Sequence, residues 1–173
     1  MSPMDGWVVS DVKTRMKWDS EVGRMIHEFK DTKAVIICGN LNCAPQDIDL
    51  SDPERLKRET SPVLHETENI GYPGSRQSDR DGLRWLMSAG RLKDVFRVKH
   101  PYNGNDSQKD NLQYTSLAYL GDKTRCAVRT NLTLMSSYFL GNVSRCDIVG
   151  KTSDLTPSGW RHLPQMLVMK VKH

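Results

Sequence analysis

Between residues 18 and 29 the apolar side chains Trp18, Val22, Met25, Ile26 and Phe29 are spaced to share one side of a helix. The spacing predicts an amphipathic helix with this set as its buried stripe. Ala34 to Cys38 is an unbroken apolar, β-branched run bounded by Lys33 and Gly39. It is too short for a helix and predicts a buried strand. From 44 to 77 the chain turns polar and carries Pro45, Pro53, Pro62 and Pro73, the pattern of a long loop. A second helix is predicted from Ser78, capped with the help of Asp81. Leu83, Leu86 and Met87 form its inner face and Gly90 stops it.

Asp94-Val95-Phe96 then leads to His100-Pro101 and a further polar loop. Short strands are predicted around 113–119, 126–136, 145–149 and 165–171. The last, QMLVMKV, is apolar on both faces apart from Lys170 and predicts a mostly covered strand. Helix, strand, helix and then several strands imply a layered α/β architecture.

Composition narrows this only a little. With 173 residues, 37% apolar and 27% charged, the chain reads as one soluble globular domain. No stretch approaches membrane-spanning length and the first residues hold no signal-peptide core, so an intracellular protein is expected, with nucleus and mitochondrion both open. The net charge of +4 leans mildly towards an anionic partner. Cys38, Cys43, Cys126 and Cys146 show no metal-ligand spacing and are expected as buried, reduced thiols. The sequons at Asn105, Asn131 and Asn142 are then incidental. Arg55/Lys57/Arg58 and Arg91/Lys93/Arg97/Lys99 read first as solvated faces and second as nucleic-acid contacts. Trp7, Trp18 and Trp85 read as core or boundary residues, whereas Trp160 is a candidate for base stacking.

A series of motifs sharpens the picture. Arg15-x-x-Trp18-Asp19 resembles an R-x-x-W-D helix start, and Val35-Ile-Ile-Cys-Gly39-Asn40-Leu41-Asn42 resembles V-I-V-C-G-D-L-N. Ile48-Asp49-Leu50-Ser-Asp52-Pro53 is similar to I-D-L-x-N-P. Asp79-Arg80-Asp81-Gly82 stands for E-R-x-G, and Asp94-Val-Phe96-Arg97 with His100-Pro101 for D-x-F-R-x-x-H-P. Tyr114-Thr115, Arg129-Thr-Asn131 through Ser136, and Gly159-Trp-Arg161-His162-Leu-Pro164 resemble Y-T-F-W, R-L-D-Y-x-L-x-S and G-S-D-H-x-P. In this order over some 150 residues, the chain resembles the endonuclease/exonuclease/phosphatase superfamily, specifically its exodeoxyribonuclease III-type abasic-site (AP) endonucleases.

The resemblance implies a two-sheet α/β sandwich and Mg²⁺-assisted phosphodiester hydrolysis. It also implies losses. The water-activating G-D-L-N aspartate is Asn40, and a carboxamide has no basic lone pair to take a proton. The aspartate that orients the histidine is Asn131, and the S-D-H aspartate is Arg161; the charge-stabilising Asn42 and the phosphate-steadying His162 are kept. No metal ligand set is expected, hence no Mg²⁺; Arg161 reads first as a solvated or salt-bridged surface residue and second as a phosphate clamp in the cation's place. Asn40 and Asn131 fit either drift after activity was lost or a neutral site that holds nucleic acid without cutting it. Arg129, Arg161 and Trp160 are the expected nucleic-acid contacts. The positions that hold the flipped abasic sugar correspond to Ser116, Val128 and Thr130, which are poorly suited to that task.

The family also carries roughly another half-domain before this point. The expectation is an arm over 1–14, a partial domain over 15–173, and a bare inner sheet face that a protein partner covers. The function expected is a catalytically inactive binding or structural subunit, possibly holding nucleic acid. One alternative is a Mg²⁺-dependent AP endonuclease of DNA repair whose missing half another chain supplies. The other is a truncated, non-functional gene copy.

Overall fold

The computed structural model describes residues 12–59, 70–104, 113–120, 122, 124–156 and 161–170. Helix α1 spans Val12–Phe29, strand β1 Ile36–Asn40, and a short helical turn Asp47–Asp49 precedes α2, Pro53–Arg58. Then come α3 (Gln77–Ala89), β2 (Leu92–Asp94), α4 (Val95–Lys99), β3 (Ser116–Tyr119) and β4 (Arg125–Val128). Strands β5 (Asn131–Ser136), β6 (Val143–Ile148) and β7 (Gln165–Met169) complete it.

Three layers follow from which faces are apolar. The central sheet has the antiparallel order β1-β5-β2. On one side Leu132 and Leu134 of β5 and Leu92 of β2 pack with Ile26 of α1 and Leu83 and Leu86 of α3. On the other, Met135 of β5 packs with Val143, Cys146 and Ile148 of β6, Val95 and Phe96 of α4, and half-buried Leu167 and Met169 of β7. The β6–β7 ribbon is thus a second β-layer laid over the central sheet. A smaller core of Leu50, Leu56, Ala118, Leu120, Cys126 and Val128 sits under the β3–β4 pair.

Several expectations are corrected. In α1 the buried stripe is Asp19, Gly23 and Ile26, while Trp18, Met25 and Phe29 are exposed. The cause is the close approach of α3: a Cβ on Gly82 would lie 2.2 Å from Asp19 Oδ2, and one on Gly23 would lie 2.1 Å from the Trp85 ring. Helix α3 starts one residue before Ser78, with Arg76 as an N-cap that makes no side-chain cap bond. The 44–77 loop contains α2, capped by Asp52 accepting from the Arg55 N–H. The predicted strand 126–136 is two strands, because the chain breaks at Arg129-Thr130 to pass from the β3–β4 pair into the central sheet. Strand β1 is exposed rather than buried, and β7 alternates half-buried with exposed positions rather than being covered. The inner face is not wholly bare: the β6–β7 ribbon covers β5, and among the described residues β1 stays exposed. Among the cysteines, Cys43, Cys126 and Cys146 are buried, but Cys38 is exposed. Residues 1–11 and Trp160 lie outside the described residues. Among the described residues no helix is long and apolar enough to cross a membrane.

Candidate functional site

Strand β1 ends at Asn40, and the loop that follows is tied down on every side. The Leu41 N–H donates to Thr130 O at 3.0 Å, Arg15 Nη1 donates to Leu41 O at 2.9 Å, and Ala44 N–H donates to Gly74 O at 2.8 Å. Asp19 holds the Arg15 guanidinium at 3.0 Å, and Asp79 accepts the Gly74 N–H at 2.7 Å. Asn42 takes a positive φ of 48°, which asparagine tolerates. Gly74, with φ of +87°, passes so close that a Cβ would lie 2.5 Å from the Asn42 carbonyl oxygen.

Asn40 and Asn131 are direct cross-strand partners at the ends of β1 and β5. Asn40 Oδ1 accepts the Asn42 N–H at 3.0 Å. That bond holds the amide oxygen on the loop backbone, and Asn40, exposed at the strand end, carries an NH₂ group that can only donate. Asn131 Nδ2 donates to Leu163 O at 3.0 Å, leaving Asn131 Oδ1 buried and unpaired. His162 bridges to Ser116 through the backbone, and its Nδ1 is also buried without a partner. Burial, and then the charge of Arg161, push the His162 pKa below its ordinary value, so the ring is neutral near pH 7. Arg161 itself is exposed.

The structure thus brings Asn40, Asn42, Asn131 and His162 to one end of the central sheet, with Arg161 beside the histidine. Thr115, whose part was not evident from sequence, is the organiser. Its Oγ1 accepts the N–H groups of both Thr130 and Asn131 at 3.0 Å, and its carbonyl accepts the Leu163 N–H at 2.7 Å. Gln165 adds a clasp, donating to Asn131 O and accepting from Thr133 Oγ1, both at 2.8 Å. Nothing in the sequence signals that clasp. A cleft of about 260 Å³ lies here, lined by Cys38, Gly39, Asn131, Thr133, Pro164 and Gln165.

Arg129 is corrected from a nucleic-acid contact to a core residue. Its side chain is wholly buried, with Nε on Asp49 Oδ1 at 2.7 Å and Nη2 on Asp94. Burial opposes its charge, but Asp94 and Asp49 more than offset this and raise its pKa. Arg97 joins the same network through Asp49, so it is no solvated surface charge. Other members of the two basic clusters also have partners: Arg55 on Asp122, Lys57 on Asp47, Arg91 on Asp31 and Lys99 on Val143 O. Ser116, Val128 and Thr130 are buried, with Ser116 Oγ 3.0 Å from Thr130 Oγ1, so they close on themselves rather than line an open sugar pocket.

The donor set at this end is two carboxamides, an imidazole and a guanidinium. Mg²⁺ selects hard carboxylate oxygens in near-octahedral geometry, and these groups do not fit it. Among the described residues no three His, Cys, Asp or Glu side chains converge to hold a metal.

No protein-family model matches the chain. Its fold is that of the endonuclease/exonuclease/phosphatase group. The Neisseria 3′ phosphatase NExo, solved bound to a product DNA hairpin, matches with a TM-score of 0.66 at 21% identity, over 92% of this chain and 54% of that one. The AP endonuclease of Archaeoglobus fulgidus matches with 0.60 at 19%, over 91% of this chain and 55% of the other. In sequence, an Arabidopsis thaliana DNA-(apurinic or apyrimidinic site) endonuclease is 32% identical over 103 residues, 57% of this chain and 28% of that protein. The Plasmodium falciparum enzyme of the same name is 26% identical over 162 residues, 86% of this chain and 26% of its own length. In sequence the chain is thus similar to DNA-(apurinic or apyrimidinic site) endonucleases and an exodeoxyribonuclease, and it corresponds to a C-terminal part of them. It spans about half the length of the solved structures it matches.

Proposed function

We propose that this chain is a catalytically inactive, AP-endonuclease-like binding subunit that holds nucleic acid without hydrolysing it. One observation carries the reading: the exposed group at the end of β1 is the Asn40 carboxamide, whose Oδ1 accepts the Asn42 N–H and whose NH₂ can only donate. A donor suits a phosphate oxygen and cannot deprotonate water. The neutral imidazole of His162 and the exposed cation of Arg161 extend the same preference for an anion. A protein partner completes the fold in this reading, and the nucleus is a natural compartment for it.

Incubation of the 173-residue chain with an abasic DNA duplex and Mg²⁺ tests the reading. No strand incision is expected, and incision abolished by His162→Ala would overturn it in favour of an enzyme. Arg161→Glu is expected to weaken duplex binding about tenfold at fixed salt, read by fluorescence anisotropy. Restoring aspartate at 40, 131 and 161 together is expected to restore no incision in this chain by itself.

A further inference from the structure

We propose that Asn103 is a site of spontaneous covalent modification, where the Asn103-Gly104 unit closes into a ring and reopens with a carboxylate in place of the side-chain amide. The inference is independent of what the chain binds.

The chemistry sets the requirements. The main-chain nitrogen of the following residue must reach the asparagine Cγ. A Cβ on that residue hinders the approach, and a regular hydrogen-bonded backbone prevents it. Water must then reach the ring. The sequence holds a single Asn-Gly pair, Asn103-Gly104. It follows His100, the C-cap of α4, and lies outside every helix and strand. Both residues are exposed. Gly104 has a φ of +88°, and a Cβ on it would meet nothing within 4 Å among the described residues. No packed neighbour there restrains the turn from closing.

The other described asparagines lack these features. After Asn40, the Leu41 N–H is held by Thr130 O, and after Asn142 the Val143 N–H is held by Leu140 O. Cys43, after Asn42, is wholly buried, and Leu132, after Asn131, is buried within β5. Asp81-Gly82 could form the same ring. Gly82, however, sits inside α3 with its open side packed on the Asp19 carboxylate.

The step balances with water as the only co-reactant. Gly104 N attacks Asn103 Cγ, and a C–N bond forms as the Cγ–Nδ2 bond breaks. Nδ2 departs as ammonia with the proton lost by Gly104 N, leaving a cyclic imide. Water then cleaves either imide C–N bond. Opening at Cγ gives aspartate; opening at the main-chain carbonyl gives isoaspartate, whose main chain is one carbon longer. Either product lowers the net charge of +4 by one. The new charge stands beside Tyr102, a near neighbour of Tyr114: burial raises the Tyr114 pKa and Tyr102 raises it further. It therefore arrives close to the segment that carries Thr115.

The test incubates the purified 173-residue chain at neutral and mildly alkaline pH, with a urea-unfolded control, and maps its peptides by mass spectrometry. The Asn103 peptide of the folded chain is expected to gain about one dalton and to resolve into two forms of equal mass. An isoaspartyl methyltransferase is expected to methylate one of them. The gain is expected to be faster at the higher pH, because the attacking nitrogen reacts after losing its proton. Gly104→Val is expected to slow it about tenfold or more by restoring a branched Cβ. Asn103→Gln, which would need a six-membered ring, is expected to remove it and serves if Gly104→Val does not fold. An Asn103 peptide left unmodified in the folded chain, while the unfolded control converts, would overturn the proposal. Conversion of both variants at the parent's rate would do so too.

Discussion

At Asn131 the amide is not a neutral stand-in for a carboxylate. Its Nδ2 donates to the Leu163 carbonyl, and an aspartate would set two oxygens against each other there. Asn131→Asp is therefore expected to lower stability by about 1–3 kcal/mol, the cost of a buried unmade hydrogen bond, read from urea unfolding. His162 adds a pH dependence. Its pKa in the folded chain lies below the ordinary 6.5. Above that value the ring is neutral whether folded or not, and stability is complete. As pH falls below it the unfolded chain takes up a proton that the folded one refuses, so stability declines until the folded ring is protonated as well. Unfolding midpoints at pH 7.5 and 5.5 are expected to differ less in His162→Phe than in the parent. The identities of Asn40, Asn131 and Arg161 were legible in the sequence. Which atom each amide spends on the backbone was not, because that depends on Leu163 and Asn42 arriving at particular distances.

At the scale of elements, the motifs divide by task. Arg15, Asp19, Asp79, Asp94, Arg97 and Arg129 all lie in family-like motifs, and each ties a loop or a helix in place. Gly82 belongs with them, since it admits the Asp19 carboxylate that orients Arg15. Gly82→Ala is expected to displace Asp19, free the Leu41 carbonyl from Arg15 and speed amide exchange in the 40–44 loop. Hydrogen exchange is the measurement. The elements themselves were largely legible: the Gly39-Asn40 strand end, Gly90 as the α3 stop and the layered order. Burial was less so. Periodicity marks which residues share a face, but it cannot say which face a neighbour covers. Trp18, Met25 and Phe29 of α1 form a fair apolar stripe that α3 does not reach. Ala34 to Cys38 looks like a buried strand because its composition suits one, but among the described residues no layer covers its outer positions.

Across the whole molecule, the charges that shape the fold are separate from those that would act on a phosphodiester. Arg129 is buried between Asp49 and Asp94, far from solvent, whereas Asn40 and Arg161 stand at the exposed end of the central sheet. Removing one partner of a buried pair strands the other charge, so Arg129→Met is expected to cost about 3–5 kcal/mol, whereas Arg161→Ala is expected to change stability by less than about 0.5 kcal/mol. Thermal melts of the two variants make the comparison. The fold was legible because its scaffold residues remain, and the amides at Asn40 and Asn131 and the cation at Arg161 were legible because they fall at motif positions. The extent of the bare sheet face was not, since only the packing of the β6–β7 ribbon on β5 shows how much of it is covered.

The buried Arg129 network also bears on the order in which the chain assembles. Arg129 lies 80 residues from Asp49 and 35 from Asp94, so no short local segment can neutralise it. Burying its guanidinium without cost requires both of those distant carboxylates to be in place. Loop closure of that length is slow to nucleate. Strand β5, which begins just after Arg129, is therefore expected to gain protection late in refolding, and an all-apolar replacement of the network is expected to bring that protection forward, as read by pulse-labelled hydrogen exchange.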